Sequence, residues 1–182
     1  MLQIAIPSME YYDSVHNEFF TVKGQVIQLE HSLVSISKWE AKWNKPFLSK
    51  DQKTVEEFLD YVRCMTLTQN VNPMLYSNIS KDISKQIMDY IEAPMTATTF
   101  HEYPGAPHPR SSEIITSELI YYWMVALQIP FECQKWHLNR LMTLIRVCNI
   151  KNSPKKKMGR NEIMSRNAAL NAARRQKMGT TG

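Results

Sequence analysis

The sequence predicts a mainly α-helical protein, and three features of its hydrophobic pattern support that prediction. Between residues 31 and 43, apolar side chains recur every three or four positions, as on one face of a helix. The segment Thr54-Val55-Glu56-Glu57 has the capping-box pattern, in which a Thr hydroxyl and a Glu carboxylate satisfy free amides of the first helical turn. Further on, isoleucines recur at four-residue intervals, at Ile79, Ile83, Ile87 and Ile91. We expect a helical body built on a central αα-hairpin, with an N-terminal β-hairpin or small sheet and a basic C-terminal helix or tail.

Residues 1–30 have the pattern of extended strands. Leu2, Ile4 and Ile6 alternate with more polar or smaller residues, which is typical of a half-buried strand, and a proline ends the run. Two further apolar runs, 19–22 and 25–29, flank Lys23-Gly24. Because glycine accepts the positive φ of a tight turn, we predict a β-hairpin that turns at Lys23-Gly24.

Residues 31–150 are predicted to form the helical core. A break at 70–73 separates the helix that starts after Thr54 from the isoleucine ladder. The stretch 103–110 contains three prolines and one glycine, a composition that cannot sustain a helix or an interior strand. We therefore predict an exposed loop at 103–110.

The centre of this core is predicted to be an αα-hairpin. The run 119–127 is apolar on all sides, which predicts a buried helix. Pro130 separates it from a second helical pattern that carries Leu138, Leu141 and Ile145. Two helices joined by a short break are expected to pack against each other.

Residues 151–182 form a basic C-terminal tail, predicted to be partly helical. This segment holds nine Lys or Arg residues and one Glu, a net charge of +8 against +5 for the whole chain, so the rest is mildly acidic. The tail has no aromatic side chain for stacking on bases, and this favours a protein partner over nucleic acid. The candidate partner-binding residues are Lys155, Lys156, Lys157, Arg160, Arg166, Arg174, Arg175 and Lys177.

No pattern of residues in the chain predicts catalysis, a metal site or a cofactor. Cys133 and His137 are four residues apart, which on a helix would place them on one face, but further ligands at zinc-site spacing are missing. The five glycines do not form a phosphate-binding loop, and no local signature supports a Cys–His nucleophile pair. We therefore expect a protein that is not an enzyme and binds neither a metal nor a cofactor.

The chain has the bulk properties of an intracellular protein. It has no apolar run long enough to span a bilayer and no basic-then-apolar leader at its start. The three cysteines are widely spaced and odd in number, which suits reduced thiols. We expect no membrane association.

Four stretches resemble bacteriophage proteins described as tail assembly chaperones. They are Ile115–Met124, Ile129–Leu141, His31–Glu40 and the ending Leu170–Arg175 followed by Gly179-Thr180. The resemblance implies a protein encoded just before the tape measure protein in tailed-phage genomes. Such chaperones keep the long, helical tape measure protein soluble in the host cell cytoplasm and help to bring tail tube subunits to it. Many are also made in a longer form by programmed ribosomal frameshifting.

Two other functions stay open beside the chaperone, as does self-association of the chain. A structural virion component, such as a head–tail connector or minor tail protein, would remain in the finished virion. A nucleic-acid-binding regulator would use the basic tail and bind with steep salt dependence.

Overall fold

A computed structural model describes residues 1–100, 114–153 and 160–179, and these are mostly helical, as predicted. The chain divides into two compact units, Met1–Asn149 and Ile150–Gly182. Short 3₁₀ helices at Pro73–Asn78 and Phe131–Lys135 lie between the longer elements. The strands β1–β4 span Leu2–Ile6, Met9–Asp13, Glu18–Val22 and Gln25–Leu29. The helices α1–α6 span Leu33–Trp43, Val55–Met65, Lys81–Glu92, Ser117–Ala126, Leu138–Asn152 and Arg160–Met178.

The four strands form two antiparallel two-stranded sheets that continue one another along the chain as a β-ribbon. Strand β1 pairs with β4 and β2 pairs with β3 in the same register, because Ile6 faces Gln25 and Met9 faces Val22. The small N-terminal sheet is therefore confirmed, but the predicted hairpin turn at Lys23-Gly24 is wrong. The chain reverses at residues 14–17, where the Asp13 carboxylate accepts a 2.8 Å hydrogen bond from the Val15 amide and Asn17 has a positive φ.

Gly24 is needed for close backbone approach instead of for a turn. A Cβ atom at this position would lie 2.6 Å from the carbonyl oxygen of Ile6 and 2.7 Å from the amide nitrogen of Ser8. A larger residue at position 24 would push the two chain segments apart between the β1–β4 and β2–β3 pairs.

The inner half of the ribbon supplies one side of the core. Ile4 and Ile6 of β1 and Ile27 and Leu29 of β4 are buried, whereas the outer half of the ribbon is largely exposed. Helices α1 and α2 supply the other side through a set of fully buried side chains. These are Leu33, Ile36, Trp39, Tyr61, Val62 and Met65.

Helices α1 and α2 pack directly against each other. Both begin with a capping box, and the one predicted at Thr54 and Glu57 is confirmed. The indole of Trp39 donates a 2.9 Å hydrogen bond to the backbone oxygen of Glu57. The Asp60 carboxylate accepts a 2.9 Å bond from the indole of Trp43 and also binds the ammonium of Lys42, so polar bonds tie the two helices together.

Helix α4 packs on α1 and is anchored at its start by a buried carboxylate. Glu40 accepts hydrogen bonds from the amides of Phe47, at 2.7 Å, and Ser117, at 2.8 Å. The prediction that residues 119–127 are buried on all sides is wrong, because Tyr122 and Val125 are 65% and 59% exposed. One face of this apolar helix packs on the body and the other faces solvent.

The unit Ile150–Gly182 contains α6, whose described side chains are all exposed. The predicted loop at 103–110 lies outside the described residues. In the part of the chain that is described, no helix combines the length and apolar character that crossing a membrane requires.

Candidate partner-binding sites

A groove lies between α2 and α3. It has a volume of about 790 Å³, and the loop that precedes α2 closes one side. We call it the α2–α3 groove. Its apolar lining is Phe47, Val55, Phe58, Tyr61, Ile79, Met88 and Ile91, and its polar lining is Gln52, Lys53, Thr54, Lys81 and Ser84.

The groove leaves large apolar side chains open to solvent. Val55, at the first position of α2, is 76% exposed, and Met88 on α3 is 44% exposed. Phe58, Ile79 and Ile91 are only half-buried. Contiguous exposed apolar side chains in a concave surface are typical of a partner-binding site.

Each helix contributes a regular row to the groove wall. On α3, Lys81, Ser84, Met88 and Ile91 recur at helical spacing and therefore share one face. Ile87 lies on another face of the same helix and is fully buried in the body. Helix α3 thus has two apolar sides, one used by the core and one left for the groove.

Lys53 is a polar residue of the groove that is held over two aromatic rings. Its ammonium nitrogen lies 4.5 Å from the ring centre of Phe47 and 5.8 Å from that of Trp39, positions that suit cation–π attraction. Partial burial lowers the pKa of the Lys53 ammonium, and the nearby carboxylates of Glu57 and Asp51 oppose that shift. Among the described residues that line the groove, lysines are the charged ones.

Beneath the groove lies a buried polar cluster made of His31, Tyr61, Tyr90 and His137. The Tyr61 hydroxyl lies 2.5 Å from Nδ1 of His31, and the rings of His31 and His137 meet edge to face with centres 5.0 Å apart. The Tyr90 hydroxyl donates a 2.7 Å hydrogen bond to the Glu30 carboxylate. We call this group the His31–His137 cluster.

The contacts of His137 define its tautomer. Nε2 lies 3.0 Å from the carbonyl oxygen of Tyr90, so this nitrogen carries the proton and donates. Nδ1 then accepts from the amide of Asn139, at 3.3 Å. His137 is therefore neutral and holds the start of α5 against the end of α3.

Burial keeps both histidines of the cluster neutral. Desolvation, with a contribution from His137, lowers the pKa of His31 to about 3. Desolvation also lowers the pKa of His137, against the opposing effects of the Tyr90 carbonyl and Glu30. Both rings are almost inaccessible to solvent. Their hydrogen bonds to Tyr61 and Tyr90 connect different elements of the core.

The residues considered as metal ligands do not come together. Cys133 lies in the 3₁₀ helix Phe131–Lys135, and His137 lies beyond its end, so the two do not share a helical face. Cys133 is buried, and Cys64, Cys133 and Cys148 are free thiols. Within the described ranges, no group of three or more His, Cys, Asp and Glu side chains is placed to hold a metal ion.

The candidate residues of the basic tail fall partly on α6. Lys155, Lys156 and Lys157 lie outside the described residues, and Arg160 is the first residue of α6. The side chains of Arg166, Arg174, Arg175 and Lys177 are exposed. At 100° per residue, Arg166, Arg174 and Lys177 share one side of the helix and Arg175 lies on the other, so the basic charge is not confined to one face.

Sequence reasoning missed the α2–α3 groove. The isoleucine ladder predicts a helix but does not show which of its side chains stay uncovered: Ile87 is fully buried, whereas Ile79 and Ile91 line the groove. An exposed Val at the first turn of a capped helix was the available signal, and a lone apolar residue on a surface is too common to identify a site.

Comparison with protein-family models, with curated proteins and with solved structures gave no match to this chain.

Proposed function

We propose that the protein is a non-catalytic bacteriophage tail assembly chaperone that binds the tape measure protein and keeps it soluble during tail morphogenesis. The observation that carries this proposal is the α2–α3 groove, an apolar concave surface with exposed Val55 and Met88. A long helical protein presents apolar stripes before it is packaged. A groove of this kind accepts the apolar face of one amphipathic helix.

The side chains of the groove suit a chaperone that must hold and then release its partner. Covering an exposed apolar side chain stabilises a complex by up to roughly 2 kcal/mol. Met88 is flexible and polarisable, and it adapts to partner side chains of different shape. A few such contacts give binding that is specific for an apolar stripe and still reversible.

Other parts of the proposal extend beyond the groove. The exposed face of α4, with Tyr122 and Val125, is a second apolar surface, which we assign to the tail tube protein or to a second copy of the chain. The αα-hairpin of α4 and α5 and a partner-binding role for the basic tail stay predictions within this scheme. The proposed location is the host cell cytoplasm.

Co-expression with the downstream tape measure protein tests the proposal. We expect the soluble fraction of the tape measure protein to rise several-fold, and the two proteins to co-purify. The variant Val55→Gln should reduce this effect, whereas Val26→Gln, which alters another exposed valine that does not line the groove, should not. Tape measure protein that stays insoluble with the wild-type chain present would contradict the chaperone function.

A structural virion component is the first alternative, and purified particles separate it from the chaperone. A chaperone leaves the complex, so mass spectrometry of purified virions should detect it only in traces. Copies in stoichiometric amounts would assign the chain to the virion.

Exposed Arg166, Arg174, Arg175 and Lys177 on α6 favour a second alternative, a regulator that binds nucleic acid. Such binding would weaken steeply with salt, because each phosphate contact releases counterions. Tight binding to DNA or RNA that disappears when residues 151–182 are deleted would support this function.

A further inference from the structure

We propose that the α2–α3 groove selects an acidic amphipathic helix, whose carboxylates pair with Lys53 and Lys81 while its apolar stripe covers Val55 and Met88. The inference rests on the proposed function only for the source of that helix, which would be the tape measure protein. The chemistry of the ligand follows from the groove itself.

The dimensions of the groove set the length of the helix. The row on α3 runs from Lys81 to Ile91, and at 1.5 Å per residue it extends over about 15 Å, or about three helical turns. Apolar side chains on the partner at positions i, i+3 and i+7 would meet this row. Phe58 and Tyr61 form the opposite wall, so the apolar stripe of the partner would contact apolar side chains on both walls of the groove.

Charge decides which amphipathic helix fits. The described residues that line the groove include the cations Lys53 and Lys81 and no carboxylate. Two carboxylates act on Lys53, and neither lines the groove. Glu57 is engaged elsewhere, because it accepts a 2.6 Å bond from the ammonium of Lys45 and a 2.7 Å bond from the amide of Thr54. Asp51 lies in the exposed loop before α2. A carboxylate on the partner would therefore meet a positive potential on entering the groove.

Lys53 is prepared for this pairing. Its ammonium is held over the rings of Phe47 and Trp39 and is partly removed from water. An ion pair formed there is less screened by salt than one on an open surface. Lys81 is exposed on the first turn of α3 and would add a weaker, more salt-sensitive contact.

Charge also disfavours the chain's own C-terminal helix as the occupant. Helix α6 carries exposed Arg166, Arg174, Arg175 and Lys177, which would be repelled by Lys53 and Lys81. A helix with Glu or Asp beside its apolar stripe has the complementary charge.

Two synthetic helical peptides test the inference. Both carry the same leucine stripe at i, i+3 and i+7; one has Glu beside the stripe and the other has Lys. We expect the full-length protein to bind the Glu peptide about tenfold more tightly than the Lys peptide in calorimetric titrations at low salt. The difference should shrink at high salt.

Charge reversal makes the test specific to the groove. The double variant Lys53→Glu/Lys81→Glu should prefer the Lys peptide. The single variant Lys81→Glu, at an exposed position, should lose part of the preference without any change in thermal unfolding. Lys85→Glu is the matched control, because Lys85 is exposed on the same helix but does not line the groove.

Equal binding of the two peptides would overturn the inference, and so would a preference that survives the double reversal. The groove would belong to a second copy of the chain instead if the protein dimerised, the dimer did not bind the Glu peptide, and Met88→Gln prevented the dimerisation. If the Glu peptide bound only after residues 151–182 had been deleted, the groove would be assigned to the C-terminal segment. If the Glu peptide binds as expected but the tape measure protein stays insoluble, the proposed function fails and the groove chemistry stands.

Discussion

In most proteins polar side chains are exposed and apolar ones are buried, but the His31–His137 cluster buries polar side chains and the α2–α3 groove exposes apolar ones. The two regions share one residue. Tyr61 contacts His31 through its hydroxyl and lines the groove with the same side chain. Polar groups lie inside on one side of Tyr61, and on the other side apolar groups such as Val55 face solvent.

The difference shows what each region requires. A buried polar atom is tolerated when it has a hydrogen-bond partner, and the contacts of His31 and His137 supply partners within the chain. An exposed apolar surface is not covered by any contact within the chain, and only another molecule can remove it from water. We therefore interpret the cluster as structural and the groove as the place of binding.

Replacing Tyr61 should give the largest effect, because the residue belongs to both regions. Tyr61→Ala removes a fully buried ring and should lower the free energy of unfolding by about 4 kcal/mol, measured by urea denaturation. It should also weaken binding of the Glu peptide.

Tyr61→Phe is the variant that separates the two roles. It keeps the ring but leaves Nδ1 of His31 without its partner, so the free energy of unfolding should fall by about 1–2 kcal/mol while peptide binding stays unchanged. A Phe variant that binds peptide as poorly as the Ala variant would show that the hydroxyl, and hence the cluster, acts in binding.

Lowering the pH should destabilise the fold through the His31–His137 cluster. The unfolded chain protonates His31 near pH 6.5, whereas in the folded protein its pKa is about 3. Stability is therefore complete above pH 6.5 and falls as the pH decreases below it, since the unfolded state binds the extra proton. Between pH 6.5 and 4.5 the loss should be about 2 kcal/mol, measured by denaturant midpoints.

The pH window identifies the histidines as the cause. The carboxyls whose folded pKa is lowered, among them Glu57 with an ordinary value of 4.5, add their contribution only as the pH falls further. His31→Asn removes the titrating ring, and its stability should change less over the same interval. An unchanged slope in this variant would mean that the cluster does not control acid stability.

Local features of the sequence were sufficient to predict local structure. The capping box at Thr54 and the apolar spacing from Leu33 to Trp39 gave helices that are present, because caps and periodicity act within a few residues. The N-terminal strands were also expected. The pairing of the strands was not expected, because a glycine at position 24 fits a tight turn as well as a close approach of two backbones, and the structure has the close approach.

The α2–α3 groove and the His31–His137 cluster could not be predicted from the sequence, because both depend on contacts between residues that are far apart in the chain. The groove requires α2 and α3 to leave space between them, and Val55 and Ile91 are far apart in the chain. His31 and His137 are brought together only when α5 begins beside the start of α1, where the Leu138 amide donates a 2.7 Å bond to the His31 carbonyl. A hydrophobic pattern therefore predicts the secondary structure of a segment more readily than which distant elements pack against it.

Met88→Gln should have the smallest effect on folding, and the contrast with Tyr61 sharpens the difference between the two regions. Met88 is 44% exposed, so a polar side chain of similar size should change the free energy of unfolding by less than about 0.5 kcal/mol. Binding of the Glu peptide should nevertheless weaken severalfold, because Gln would be desolvated in the complex without a partner. Met74→Gln, at a similarly exposed position outside the groove, should leave both quantities unchanged. If Met88→Gln lowered stability as much as Tyr61→Phe, the groove would be part of the core, and the apolar surface would no longer indicate a partner.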